Sequence, residues 1–224
     1  MARKRAAEAI SGGSNNGEGS KRHRGDHRCE ARETMILDPE GDVTIATACP
    51  HCDQVRRFQA SSSVLRLASP VFSKMLGPNF QEGEQFRRTG HATIALYEDD
   101  PEATERVLCA LHHHPDVSAY YSPDELLPMA MFSDKYDCSR ALSPWVPHWC
   151  YVSTGRAPKA SDIAHTILSA YLLRAFNFSE ICAKAALYLS PFFRGSWQKM
   201  ETMLLMPDRI IGHDALPYGF PLQY

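Results

Sequence analysis

Three times in this chain a short polar residue stands directly before a proline at a helix start: Ser69-Pro70, Asp100-Pro101 and Ser122-Pro123. The polar side chain can accept from a backbone N–H left over at the helix N-terminus. Proline lacks the N–H that would go unpaired there, and its φ already suits a helix. At Ser122-Pro123-Asp124-Glu125 the acid three residues on completes a capping box. These starts divide the middle of the chain into helices and leave little room for strands.

Strand-like composition is confined to three runs. Val43-Thr44-Ile45-Ala46-Thr47 and Val55 to Phe58 flank Cys49-Pro50-His51-Cys52-Asp53 and read as a hairpin, and Ala92–Leu96 is a third strand. Between them, Ser61–Ser63 can cap a short helix through Val64, Leu65, Leu67 and Ala68. Ser69-Pro70 opens a second, with Val71, Phe72, Met75 and Leu76 on one face and Gly77-Pro78 as its stop. The helix after Asp100 places Ala103, Val107, Leu108 and Leu111 on a shared face and ends at His112-His113-His114-Pro115, which read as loose surface histidines. The helix after Ser122 carries Leu126, Leu127, Ala130, Met131 and Tyr136, with Pro128 expected to kink it or delay its start. Beyond Pro158, Ser161 can cap one helix (Ile163, Ile167, Ala170, Tyr171) and Asn177 another (Ile181, Cys182, Ala185, Leu189); a last helix spans about 196–206. Three strands are too few for a sandwich or a doubly wound sheet. The expectation is an α+β fold, a small sheet flanked by helices and followed by an all-helical extension.

Residues 1–33 differ from the rest. They hold SGGSNNGEGS and almost no large apolar side chains, so they cannot bury enough surface to offset the entropy of ordering. The arm carries eight Lys/Arg against five acids, which leaves sixteen Lys/Arg against twenty-one Asp/Glu in residues 34–224. A body of net −5 lacks the dense cationic face that nucleic-acid binding needs, so nucleic acid is not an expected partner of the body. The expected division is a basic arm (1–33), a domain (34–150) and a helical extension (151–224). No apolar h-region and no apolar run near 20 residues is visible, so neither secretion nor membrane insertion is expected. Seven cysteines, an odd number without a disulfide-like spacing, fit reduced thiols in an intracellular protein of nucleus, cytoplasm or both.

Four segments occur in a familiar order. They are Gly41-Asp42-Val43-Thr44-Ile45; Phe58-Gln59-Ala60-Ser61-Ser62-Ser63-Val64-Leu65-Arg66-Leu67-Ala68-Ser69-Pro70-Val71-Phe72-Ser73-Lys74-Met75-Leu76; Ile94-Ala95-Leu96-Tyr97-Glu98-Asp99-Asp100-Pro101-Glu102-Ala103; and Ala130-Met131-Phe132-Ser133-Asp134-Lys135-Tyr136-Asp137-Cys138. Together they resemble the BTB/POZ domain over about residues 38–150. The likeness is strongest to short BTB proteins of filamentous fungi that carry a helical C-terminal extension. The resemblance implies a binding module that recruits protein partners, itself among them, and no enzyme, cofactor or small-molecule substrate. Part of the family docks cullin scaffolds of ubiquitin ligases through a hydrophobic-x-Glu motif after the second helix, where this chain has Phe80-Gln81-Glu82. The competing reading is that Phe80 tucks under its own loop. Many members place a His and a basic residue beside the leading acid, forming a charged pocket. Here those positions are Ser61 and Ser62, so Asp42 is expected to lack that partner.

Two other patterns stand apart from this resemblance. Arg3-Lys4-Arg5 and Lys21-Arg22-His23-Arg24 resemble a split nuclear import signal and leave a nuclear scaffold or transcription-associated role as the alternative. Cys49-x-x-Cys52 has a spacing that suits zinc, but structural sites need four ligands and no second pair follows. No metal is therefore expected. No phosphate-binding glycine loop, HExxH or GxSxG elbow occurs either.

Overall fold

A computed structural model describes residues 34–48, 55–150 and 159–189, together with Trp197, Lys199, Met200 and Pro207. The fold is α+β. Its strands are β1 (Met35–Ile36), β2 (Val43–Ala48), β3 (Val55–Ala60) and β4 (Ala92–Ala95), in the spatial order β1-β3-β2-β4. The hairpin is as the sequence suggests: β2 and β3 pair antiparallel from Val43↔Ala60 to Ala48↔Val55. Strand β4 lies parallel to β2, from Val43↔Ala92 to Ala46↔Ala95. A parallel partner needs a crossover, and three helices supply it: α1 (Ser62–Ala68), α2 (Pro70–Met75) and α3 (Gln81–Thr89). Strand β1, parallel to β3 through Met35↔Phe58, went unread in the sequence because two residues carry no alternation.

Val43, Ile45, Phe58, Ala60, Ala92 and Ile94 are buried, and alternation along each strand brings them to the helix-covered side. Helices α4 (Pro101–Leu111), α5 (Pro123–Lys135), α6 (Ser139–Leu142), α7 (Val146–Trp149), α8 (Ala160–Leu172) and α9 (Phe178–Ala186) follow. All three proline-led starts form as read. Ser69 Oγ accepts from Phe72 N–H (3.0 Å), Asp100 from Ala103 N–H (2.7 Å), and the Ser122/Glu125 capping box is complete. Pro128 does not delay α5, which starts at Pro123 and runs on through it. Ser161 lies inside α8 rather than capping it; Lys159 is the N-cap, and Asp162 accepts from its N–H (3.3 Å). Asn177 precedes α9, but its side chain makes no cap bond.

Three helix ends share one device. After α4, α5 and α8, the residues His113, Asp137 and Arg174 adopt φ of 53°, 48° and 53°. The next N–H returns to the carbonyl five residues before it: His114 to Cys109, Cys138 to Ser133, Ala175 to Ala170, each within 3.0 Å. This is the Schellman closure without its usual glycine. Helices α5 and α8 run side by side and parallel, with His165 on Asp124 (2.8 Å) near their starts and Arg174 on Asp137 (3.2 Å) at their ends. Trp197, fully buried, donates from Nε1 to Ala160 C=O (3.2 Å). The buried side chains of α8 and α9 therefore join the same core as those of the sheet.

The segment Asp134 to Cys138 is the hub of the domain. Tyr136 stacks on Phe72 with ring centroids 4.8 Å apart, and its hydroxyl donates to Asp99 (2.7 Å). Asp99 also takes Lys135 Nζ (2.9 Å). Ser69 Oγ, besides capping α2, donates to the Tyr136 carbonyl. One buried hydroxyl thus joins the start of α2 to the end of α5.

Candidate protein-docking edge

Phe80-Gln81-Glu82 does not lie in a loop. Phe80 is the N-cap of α3, in extended conformation, and Gln81 and Glu82 form the first turn. Helix α3 escaped the sequence reading because Gln81–Thr89 is almost wholly polar, with Phe86 as its one large apolar residue. Its logic is electrostatic: Glu82 and Glu84 occupy the first turn, Arg87 and Arg88 the last, each matched to the helix dipole. Gly90, at φ 74°, closes it.

What seats this helix is a backbone-to-backbone contact. Gly83 is the buried residue of α3, and a Cβ there would stand 1.8 Å from the Gly77 carbonyl oxygen and 2.7 Å from the Leu76 carbonyl carbon. Any side chain at 83 must push α3 off the turn beneath it. Arg66 of α1 reinforces the seat. Its guanidinium donates to Leu76 C=O (2.7 Å) and lies 5.6 Å from the centre of the Phe86 ring. The result is Phe80, 47% exposed, at a fixed helix start, with the partly exposed Glu82 two residues on in the first turn. Phe80 does not tuck under its own loop.

Asp42 has no charged partner at positions 61 and 62, but it is not without hydrogen bonds there. It accepts from Ser62 N–H (2.7 Å) through one oxygen and from the Ser62 hydroxyl (2.7 Å) through the other. Burial opposes its ionisation, but the two bonds from Ser62, with His91 nearby, outweigh that and hold the carboxyl below its usual range. The partner that Ser62 supplies is uncharged, so the Asp42 carboxylate is held by hydrogen bonds and not by an ion pair. His112 is not a loose surface residue either. Its Nε2 faces Ser61 N–H (3.1 Å) and its Nδ1 faces Leu108 C=O (2.9 Å).

The import candidates Arg3, Lys4, Arg5, Lys21, Arg22 and Arg24, and the pair Cys49 and Cys52, lie outside the described residues. Among the described residues, no three His, Cys, Asp or Glu side chains gather as a metal site would require, and no helix is long and apolar enough to cross a membrane. The buried thiols of Cys138, Cys150 and Cys182 are each pushed up to about 12, and that of Cys109 to about 11, chiefly by desolvation. They stay protonated at neutral pH and pack as small apolar groups. Sequence reasoning missed Gly83 and the seat made by Arg66, and it misread His112 as a loose surface residue. The only available signal was the pair of glycines bracketing a polar, charge-ordered nonamer.

The sequence matches no protein-family model and no curated protein.

Proposed function

We propose that this chain is a non-enzymatic protein-interaction adaptor of the BTB/POZ kind, acting in the nucleus, the cytoplasm or both. Its edge at Phe80-Gln81-Glu82 would recruit a cullin scaffold, while other surfaces would bring a client or a second copy. The observation that carries this reading is the half-exposed Phe80 at the fixed start of α3, with Glu82 two residues on in the first turn. An aromatic anchor inserts into an apolar pocket on the partner, and a neighbouring carboxylate sets the orientation. An edge already fixed before binding loses little conformational entropy on docking.

The test is capture of the full chain by an immobilised cullin N-terminal domain, repeated with Phe80→Ala and Glu82→Ala. The expected outcome is strong binding by wild type, at least tenfold weakening by Phe80→Ala, a smaller loss with Glu82→Ala, and unchanged thermal stability in both. Equal binding by all three proteins overturns the reading. The basic arm, with its surplus of three positive charges, favours a second reading as a nuclear scaffold touching nucleic acid. That reading requires salt-sensitive retention on DNA that vanishes when residues 1–33 are removed.

A further inference from the structure

Helix α1 begins without a cap of its own. Ser61 is its N-cap residue, but the Ser61 side chain accepts nothing from the helix. Two titratable side chains from distant parts of the sequence take its place. Asp42, at the entrance to β2, accepts from Ser62 N–H, and His112, at the end of α4, accepts from Ser61 N–H. The histidine can do this in one form only. Leu108 C=O is an acceptor and must face an N–H, so Nδ1 is protonated; Ser61 N–H is a donor and must face a lone pair, so Nε2 is bare. A second proton on the ring would set N–H against N–H.

We infer that His112 is an acid-sensitive latch on α1: when its ring is protonated the acceptor for Ser61 N–H is lost and the start of the helix is released. The surroundings match this role. Burial disfavours the charged ring most, and His113 and His114 from its own segment add to that. The Leu108 carbonyl and Asp38, from the turn before β2, act the other way, and the balance lies below the ordinary histidine value. His114 is turned toward Asp116 (3.5 Å). On the α1 side, the group behind Ser61 is the Asp42 carboxylate, which is already committed to Ser62. The direction of the pH effect follows. With its folded value depressed, His112 binds its proton more readily in the unfolded chain, so stability rises with pH and is lost on acidifying below about 6.5. Asp42 keeps its bond in that window, because a carboxylate held below its usual range titrates only under about pH 3.9. Between these limits Asp42 still holds Ser62, and the bond at the start of α1 that protonation removes is the one from Ser61 N–H to His112. That helix presents Leu67, 91% exposed, to solvent, so the latch couples pH to the surface α1 offers.

The experiment is urea unfolding of the full chain from pH 7.5 to 5.0, comparing wild type with His112→Gln, whose amide oxygen accepts but does not titrate. The other histidines are common to both proteins and cancel in the comparison. The wild-type folding constant is expected to fall relative to that of the variant by up to about tenfold per pH unit below 6.5. Parallel curves overturn the inference. Nitrogen NMR of the wild-type ring is independent of the variant's folding. It is expected to show the Nδ1–H tautomer of His112 at neutral pH, and ring protonation accompanied by lost exchange protection at the Ser61 amide. An Nε2–H tautomer, or a Ser61 amide still protected after the ring is charged, equally overturns it.

Discussion

Helices α1 and α2 adjoin in the chain, separated by Ser69 alone, and begin by opposite means. The start of α2 is local: Ser69 and Pro70 together supply the cap and the first helical residue. The start of α1 is assembled in space, from Asp42 twenty residues before and His112 fifty-one residues after the amides they hold. A local cap is present in any conformation where the backbone turns correctly. A borrowed cap exists only once the sheet and α4 are in place. Helix α1 should therefore be the more conditional of the two, sensitive to pH and to substitutions far from it in sequence.

That contrast can be broken by substitution. Ser69→Ala should have the largest effect, because it removes the cap of α2 and leaves the buried Tyr136 carbonyl without its donor. About 2–3 kcal/mol of stability should be lost in chemical denaturation. Asp42→Ala should cost about 1–2 kcal/mol, a loss felt at α1 although the residue lies on the strand side, and Asp42→Asn should recover part of it. Ser61→Ala, at the nominal cap, should change stability by no more than about 0.5 kcal/mol, since its hydroxyl holds no helix amide. A large Ser61 effect with a small Asp42 effect would reverse the assignment. His113→Gly should stabilise by about 0.5–1 kcal/mol, read as a raised melting temperature, because glycine takes the left-handed closure of α4 without the Cβ penalty.

Legibility in the sequence followed the same divide. The three proline-led starts could be read because each rests on residues within four positions of one another, and the hairpin and the α+β class because they follow from neighbouring runs of strand and helix composition. Helix α3 could not, since Gln81–Thr89 has no apolar stripe and is seated by Gly83 on Gly77, a fit visible only when two backbones meet. The closures at His113, Asp137 and Arg174 were hidden because the expected glycine is absent and a six-residue hydrogen-bond ring does the work. For the site, the position of Phe80-Gln81-Glu82 was legible but its helical setting was not. Asp42 was singled out and its lack of a charged partner at 61 and 62 was legible, but not that Ser62 binds it by a hydroxyl and a backbone amide.

The central claim is that a fixed edge at the start of α3 engages a protein partner. Amide hydrogen exchange of the full chain, with and without a saturating cullin N-terminal domain, tests it most directly. Added protection should concentrate on residues 80–86 and be absent with Phe80→Ala. No added protection, or protection confined to other elements, would contradict the account.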